Sequence, residues 1–312
     1  MPTKNTASVG KNALMERFPT KKEPPILYHY TTIGGLLGIL KEKNIWATNV
    51  NYLNDREEFQ GVIDLLNKRI SKLKSQIGAK TLEEINKLLA TSGQFSGGEA
   101  FKNAWPPSKA PLYEDFRDVL IRLSRHIYVC SFSRERDQLS QWRAYCRPSG
   151  NGFSIGFNRQ KLRTIASSHD DCIGLGECLY VKESQMEIVE KIISRSEQKY
   201  KNKTRFTVEL LIEFLKVAPY FKHERFHEEN EWRIIFIPNK DIKFREGDSL
   251  VIPYIAAGLT DEKGGLPIES ITIGPTVNKK EARLSVEILL EQYGMTNVVE
   301  IKESDIPYRG QI

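Results

Sequence analysis

The densest run of reactive residue types is FKHERFHEENEWRIIF, residues 221–236. It can be read in two ways. His223, Glu224 and His227 spell H-E-x-x-H. On an α-helix, histidines four apart share a face and can hold zinc, with Glu224 as the base. A third ligand would then come from Glu287 or Glu291. The context opposes this reading, because Pro219 sits where the motif's helix should already be running, and by Glu231 the pattern is that of a strand. The other reading has period two. Glu229, Glu231 and Arg233 then point to one face of a strand, and Trp232, Ile234 and Phe236 to the other. Two carboxylates and a guanidinium are costly to bury unless paired. They form either a mutual ion-pair network or a pocket whose glutamate stabilises positive charge.

Two further constellations carry chemistry. In LYHYTT, residues 27–32, His29 stands between Tyr28 and Tyr30, ahead of Thr31. The polar turn LNDREE follows later and brings Asn54, Asp55 and Glu58, residue types that also cap helices. In SQWRAYCRPSGNGFSIGF, residues 140–157, Ser140, Trp142 and Tyr145 share parts of one helix surface. The glycines around Phe153 let a ligand or another backbone approach the strand closely. Neither a Walker loop nor a Rossmann fingerprint is present.

These residues need a scaffold. Strand-like runs at 26–31, 127–133, 152–157, 231–237 and 269–274 are expected to share one core. NIWATN, ECLYV, DSLVIPY and NVVEIK read as further strands. Apolar residues recur at helical spacing in TIGGLLGILKEK, where Thr31 or Thr32 can cap, and in FQGVIDLLNKRISKLKSQI, LYEDFRDVLIRLSR and KKEARLSVEILLEQYG. Thr81 and Glu84 form a capping box. The order mixes strand pairs with helices and predicts an α+β fold with a mixed, largely antiparallel sheet. Helical insertions are expected at about 55–125 and 184–222. The first 23 residues are expected to form a flexible tail, and 24–312 a single domain.

The chain has 312 residues, of which 40% are hydrophobic and 28% charged, with a formal net charge of +6. That charge is compatible with an anionic partner such as nucleic acid or a dinucleotide. No apolar run is long enough to span a membrane, and the N-terminus lacks the apolar centre of a secretory signal. Cysteines at 130, 146, 172 and 178 match neither a metal motif nor a disulfide framework. Reduced thiols and a cytoplasmic location are the expectation.

LYHYT, LND-x-x-E, S-x-W-x-x-Y, GFSIGF, E-x-E-W-R and ITIGP occur in that order between about residues 26 and 275. The set resembles the bacterial domain-of-unknown-function family 2971. Its layout is similar to that of ADP-ribosyltransferases, which include bacterial toxins and phage-defence effectors. The resemblance implies NAD as substrate, no metal, and a macromolecular acceptor, nucleic acid or protein. It assigns His29 to a ribose hydroxyl, Glu231 to the nicotinamide-ribose 2′-hydroxyl and Glu229 to the acceptor. It places Tyr30, Tyr145 or Phe153 on the nicotinamide ring, with Thr31, Asn54 and Arg233 close by in the cofactor site. Arg233 departs from the usual triad, and no motif identifies a residue of the middle strand. A non-catalytic binding or sensor module on the same fold, and a zinc hydrolase using His223 and His227, remain open alternatives.

Overall fold

A computed structural model of the chain describes residues 23–53, 121, 123–146, 152–199, 203–238, 241–247, 249–276 and 278–307. Elements are numbered within these residues. Asn54, Asp55, Glu58, the expected helices between 54 and 120, and most of the proposed N-terminal tail lie outside them.

Ten strands form one sheet: β1 Ile26–Thr32, β2 Asn44–Asn49, β3 Tyr128–Ser133, β4 Gly152–Asn158, β5 Cys172–Glu177, β6 Glu231–Phe236, β7 Lys243–Glu246, β8 Val251–Gly258, β9 Ile268–Ile273 and β10 Glu300–Glu303. The order is β10-β9-β4-β1-β3-β2-β8-β7, with β6 added on β3 and β5 on β6. Every pairing is antiparallel except β9 with β10. The five strands expected to share a core are β1, β3, β4, β6 and β9, and all belong to this sheet.

β3 is the junction. β6 pairs with it along its whole length, from Tyr128 opposite Phe236 to Ser133 opposite Glu231. The other edge of β3 is shared. β1 meets it at Ser133 through Tyr28, and β2 meets it at the far end through Thr48 and Asn49. The sheet therefore forks, and a gap opens where β1 leaves β3.

Alternation along β3 and β6 builds two cores. Tyr128, Cys130 and Phe132 pack with Trp232, Ile234 and Phe236 on one face. On the other, Val129, Ile235 and Ile237 lie under Ile188, Val189, Ile192 and Ile193 of α4 (Lys182–Lys199) and Leu210, Leu211, Phe214 and Leu215 of α5 (Lys203–Val217). At the fork this second face turns polar, with Ser131, Ser133, Glu231 and Arg233.

Short helices fix the flanks. The Thr32 hydroxyl caps α1 (Ile33–Glu42) by accepting from the Gly35 N–H at 3.2 Å, the capping predicted from the threonine pair. α2 (Leu139–Tyr145) packs beside β1, and α3 (Arg159–Ser168) follows β4 with Asn158 as its cap. α6 (Lys279–Gln292) runs to Gly294 at φ 66°. ECLYV is not a strand: β5 ends at Glu177, and Leu179 makes only an isolated bridge to Phe221. The paired run is the glycine-containing CIGLGE, whose weak intrinsic strand preference is overridden by pairing with β6. No helix among the described residues is long and apolar enough to cross a membrane.

Candidate active site at the sheet fork

A cavity of about 50 Å³ lies at the fork, lined by residues of β1, β3 and α2 and by Glu229 and Glu231. His29, Tyr30, Tyr145, Glu229 and Glu231, chosen from three distant stretches of sequence, all line it. So do Tyr28, Ser131, Phe132, Ser133 and Gln141.

His29 sits where β1 parts from β3. Its Nδ1 lies 2.9 Å from the Ser131 carbonyl. A carbonyl can only accept, so Nδ1 carries the proton and the neutral ring leaves Nε2 as an acceptor. Burial lowers the histidine pKa against the opposing pull of that bond. The ring also packs on Phe132 at 5.7 Å between centroids.

Glu231 opens β6 and is 4% exposed. Arg233, two residues on and so on the same face, grips it in a fork: Nε to Oε1 at 2.7 Å and Nη2 to Oε2 at 2.9 Å. Lys222, equally buried, donates to Glu231 Oε2 at 2.7 Å and to Glu229 at 2.6 Å. Burial alone would raise the Glu231 pKa, but Arg233 and then Lys222 outweigh it and bring it to about 2. Glu231 is therefore a carboxylate at neutral pH. Oε1 accepts one bond and Oε2 two, so an acceptor position remains on Oε1. Two carboxylates and two cations leave the quartet without net formal charge.

Glu229 is not on the strand. It ends a 3-10 stretch, Glu224–Glu229, and Asn230 at φ 43° turns the chain into β6. The carboxylates still converge, because Lys222 bridges them and the Ser133 hydroxyl donates to the Glu229 carbonyl at 2.8 Å.

α2 supplies the opposite wall. Gln141 and Tyr145, one helical turn apart, face the cavity. The helix is pinned from behind. The Trp142 indole N–H donates to Asp137 at 2.7 Å, its ring meets Tyr30 edge-on at 4.8 Å, and the Cys146 thiol donates to the Thr31 carbonyl at 3.6 Å. Asp137 also accepts from the Ser304 hydroxyl, which ties the chain after β10 to this wall. Burial, then Glu231 and Glu229, raise the Tyr145 phenol pKa, so it stays protonated.

The other expected residues have different places. The Tyr30 hydroxyl is committed, donating to the Glu135 carbonyl at 2.8 Å and accepting from the Gln138 N–H at 3.0 Å. Thr31, Phe153 and Arg233 do not line the cavity. The Thr31 side chain lies against Gly35, Phe153 packs on the core beneath β4, and Arg233 reaches the site through Glu231. Asn54 lies outside the described residues. His223 and His227 flank or belong to the 3-10 stretch rather than an α-helix. At three residues per turn, positions four apart are offset by about a third of a turn, so the shared face the zinc motif needs is lost. Among the described residues, no group of three or more His, Cys, Asp or Glu could hold a metal ion.

Sequence reasoning missed Gln141, Lys222 and the middle-strand serines. Ser131 and Ser133 form a period-two polar pair at the end of an apolar strand, the one signal that marks them in the sequence. Gln141 is the unspecified second position of S-x-W-x-x-Y.

No curated protein and no solved structure matches the chain. Residues 141–234, which hold Gln141, Tyr145, Lys222, Glu229, Glu231 and Arg233, match the family model described as protein of unknown function DUF2971, the family that the ordered motifs resemble.

Proposed function

We propose that the fork cavity is the reacting end of a site for NAD, and that the protein transfers ADP-ribose from it to a macromolecular acceptor on an ADP-ribosyltransferase-like fold. One observation carries this reading. A neutral histidine from β1 and a buried carboxylate from the start of β6, about 200 residues apart, line the same cavity. In the reaction the C1′–N bond breaks and its electron pair leaves with neutral nicotinamide. The acceptor's nucleophilic atom bonds to C1′ and releases its proton to solvent. His29 Nε2 accepts from a ribose hydroxyl. The remaining position on Glu231 Oε1 accepts from another, while the carboxylate stabilises the cationic transition state. The toxin or phage-defence setting and the cytoplasmic location belong to the same proposal.

A second reading has its own support. Arg233 and Lys222 already offset Glu231, which weakens the field it offers an oxocarbenium. That favours a binding or sensor module using the same pocket.

NAD titration by calorimetry, together with nicotinamide release, separates the two. Release that is lost in Glu231→Gln supports the transferase. Binding without release supports the module. Neither binding nor release overturns both.

A further inference from the structure

Gln141 is a polar side chain that the ion-pair network does not use. It is 6% exposed, its amide makes no hydrogen bond to the described residues, and that amide keeps some open surface. An unpartnered amide that opens on a cavity takes its hydrogen bonds from whatever fills that cavity, water or ligand. Gln141 lines the fork cavity together with Ser131. α2 fixes its position: Trp142 is held by Asp137, Cys146 by the Thr31 carbonyl, and Tyr145 lies one turn further along the same face.

A side-chain amide offers one acceptor and two donors in a plane. The complementary group is another primary carboxamide, which pairs with it through two antiparallel N–H···O bonds. A cavity of about 50 Å³ suits such a group, with the rest of the ligand emerging past the half-buried Tyr28 and Tyr145. A carboxylate of the same size fits less well, because it has no N–H for the Gln141 oxygen.

We infer that Gln141 is the specificity residue of the site and reads the primary carboxamide of nicotinamide, so that NAD is accepted and its nicotinic-acid counterpart rejected. This rests on the NAD reading above.

The test uses the full chain and three ligands, NAD, nicotinic acid adenine dinucleotide and ADP-ribose, with Kd measured by calorimetry for wild type, Gln141→Leu and Gln141→Glu. Wild type is expected to bind NAD at least about tenfold more tightly than the acid form, the scale of a lost hydrogen bond. Gln141→Leu should bring that ratio close to one and leave ADP-ribose binding unchanged. Gln141→Glu keeps an acceptor for the carboxamide N–H and should reject the acid form still more strongly. Melting curves confirm that the variants are folded. Equal wild-type affinity for the two dinucleotides, or a ratio unaltered in folded Gln141→Leu, overturns the role of Gln141 while leaving the NAD reading intact. Binding of none of the three ligands overturns the NAD reading and the inference with it.

Discussion

Glu231→Gln replaces one oxygen by an amide of nearly the same volume, at a carboxylate that accepts three charge-assisted bonds. Folding holds its pKa at about 2 against the ordinary 4.5. That difference corresponds to about 3 kcal/mol of stability. An independent route gives the same scale, since breaking a buried pair by removing one partner costs about 3–5 kcal/mol. The sign follows from the direction of the shift. A carboxyl whose pKa is lowered by folding contributes its stability above pH 4.5 and loses it as pH falls through about 2. A protonated glutamate is close to a glutamine. Denaturant unfolding at pH 7 should therefore show Glu231→Gln less stable by about 3 kcal/mol, with a thermal Tm lower by roughly 5 °C. The gap between wild type and variant should close progressively below pH 4.5. Equal stability at pH 7, or a gap that persists unchanged in acid, would refute the coupling of Glu231 to Lys222 and Arg233. Any loss of nicotinamide release must be measured below the variant's melting range, where it reports chemistry rather than unfolding.

Three other perturbations test the rest of the site. Nitrogen-detected NMR of His29 at pH 7 should show a neutral ring protonated at Nδ1. Because burial lowers its pKa below the ordinary 6.5, its contribution to stability is present above pH 6.5 and lost as pH falls beneath it; an Nε2–H tautomer would contradict the bond to Ser131. Gly152→Ala would set a Cβ 1.9 Å from the Cys146 sulfur and 2.9 Å from the Thr31 carbonyl oxygen, so it should cost about 1–3 kcal/mol and loosen α2, and an unchanged melting curve would show that the helix is not seated there. All four thiols are buried, and burial pushes Cys146 up to about 12, so native protein should react with a thiol reagent far more slowly than denatured protein; rapid labelling of the folded chain would count against the packing.

The sheet was legible where the local pattern and the tertiary environment agree. EWRIIF alternates cleanly because one face meets Phe132 and Cys130 and the other meets α4 and α5, so its strand character needs no context. CIGLGE was not legible, because its glycines carry no strand preference and only β6 beside it makes it a strand. At the site, His29 and Glu231 stood out by residue type, and their shared cavity is set by the fork of β3, which no local pattern encodes. By period two, Glu229 continues the β6 alternation. Asn230 takes a left-handed turn that breaks it, and Lys222 restores the convergence from outside the strand. Gln141 and the serine pair are ordinary residue types whose significance comes only from facing a cavity.

The position of β3 also bears on where this chain can be cut. The stretch that matches the family model, residues 141–234, includes β4, β5 and most of β6 but none of β1, β3 or β9. β4 is bonded only to β1 and β9, so excision would strip both its edges, while β6 would keep β5 and lose β3. A fragment with those limits would carry a two-stranded ribbon under two helices and one orphaned strand, with rows of unpaired N–H and C=O groups inviting aggregation. It would retain the Lys222, Glu229, Glu231 and Arg233 quartet and have no histidine opposite it. The matched segment is thus a mark by which the protein is recognised rather than a module that can be moved. Shuffling or truncation that respects the architecture must keep β1 and β2, β3, and the stretch from β4 through β10 together.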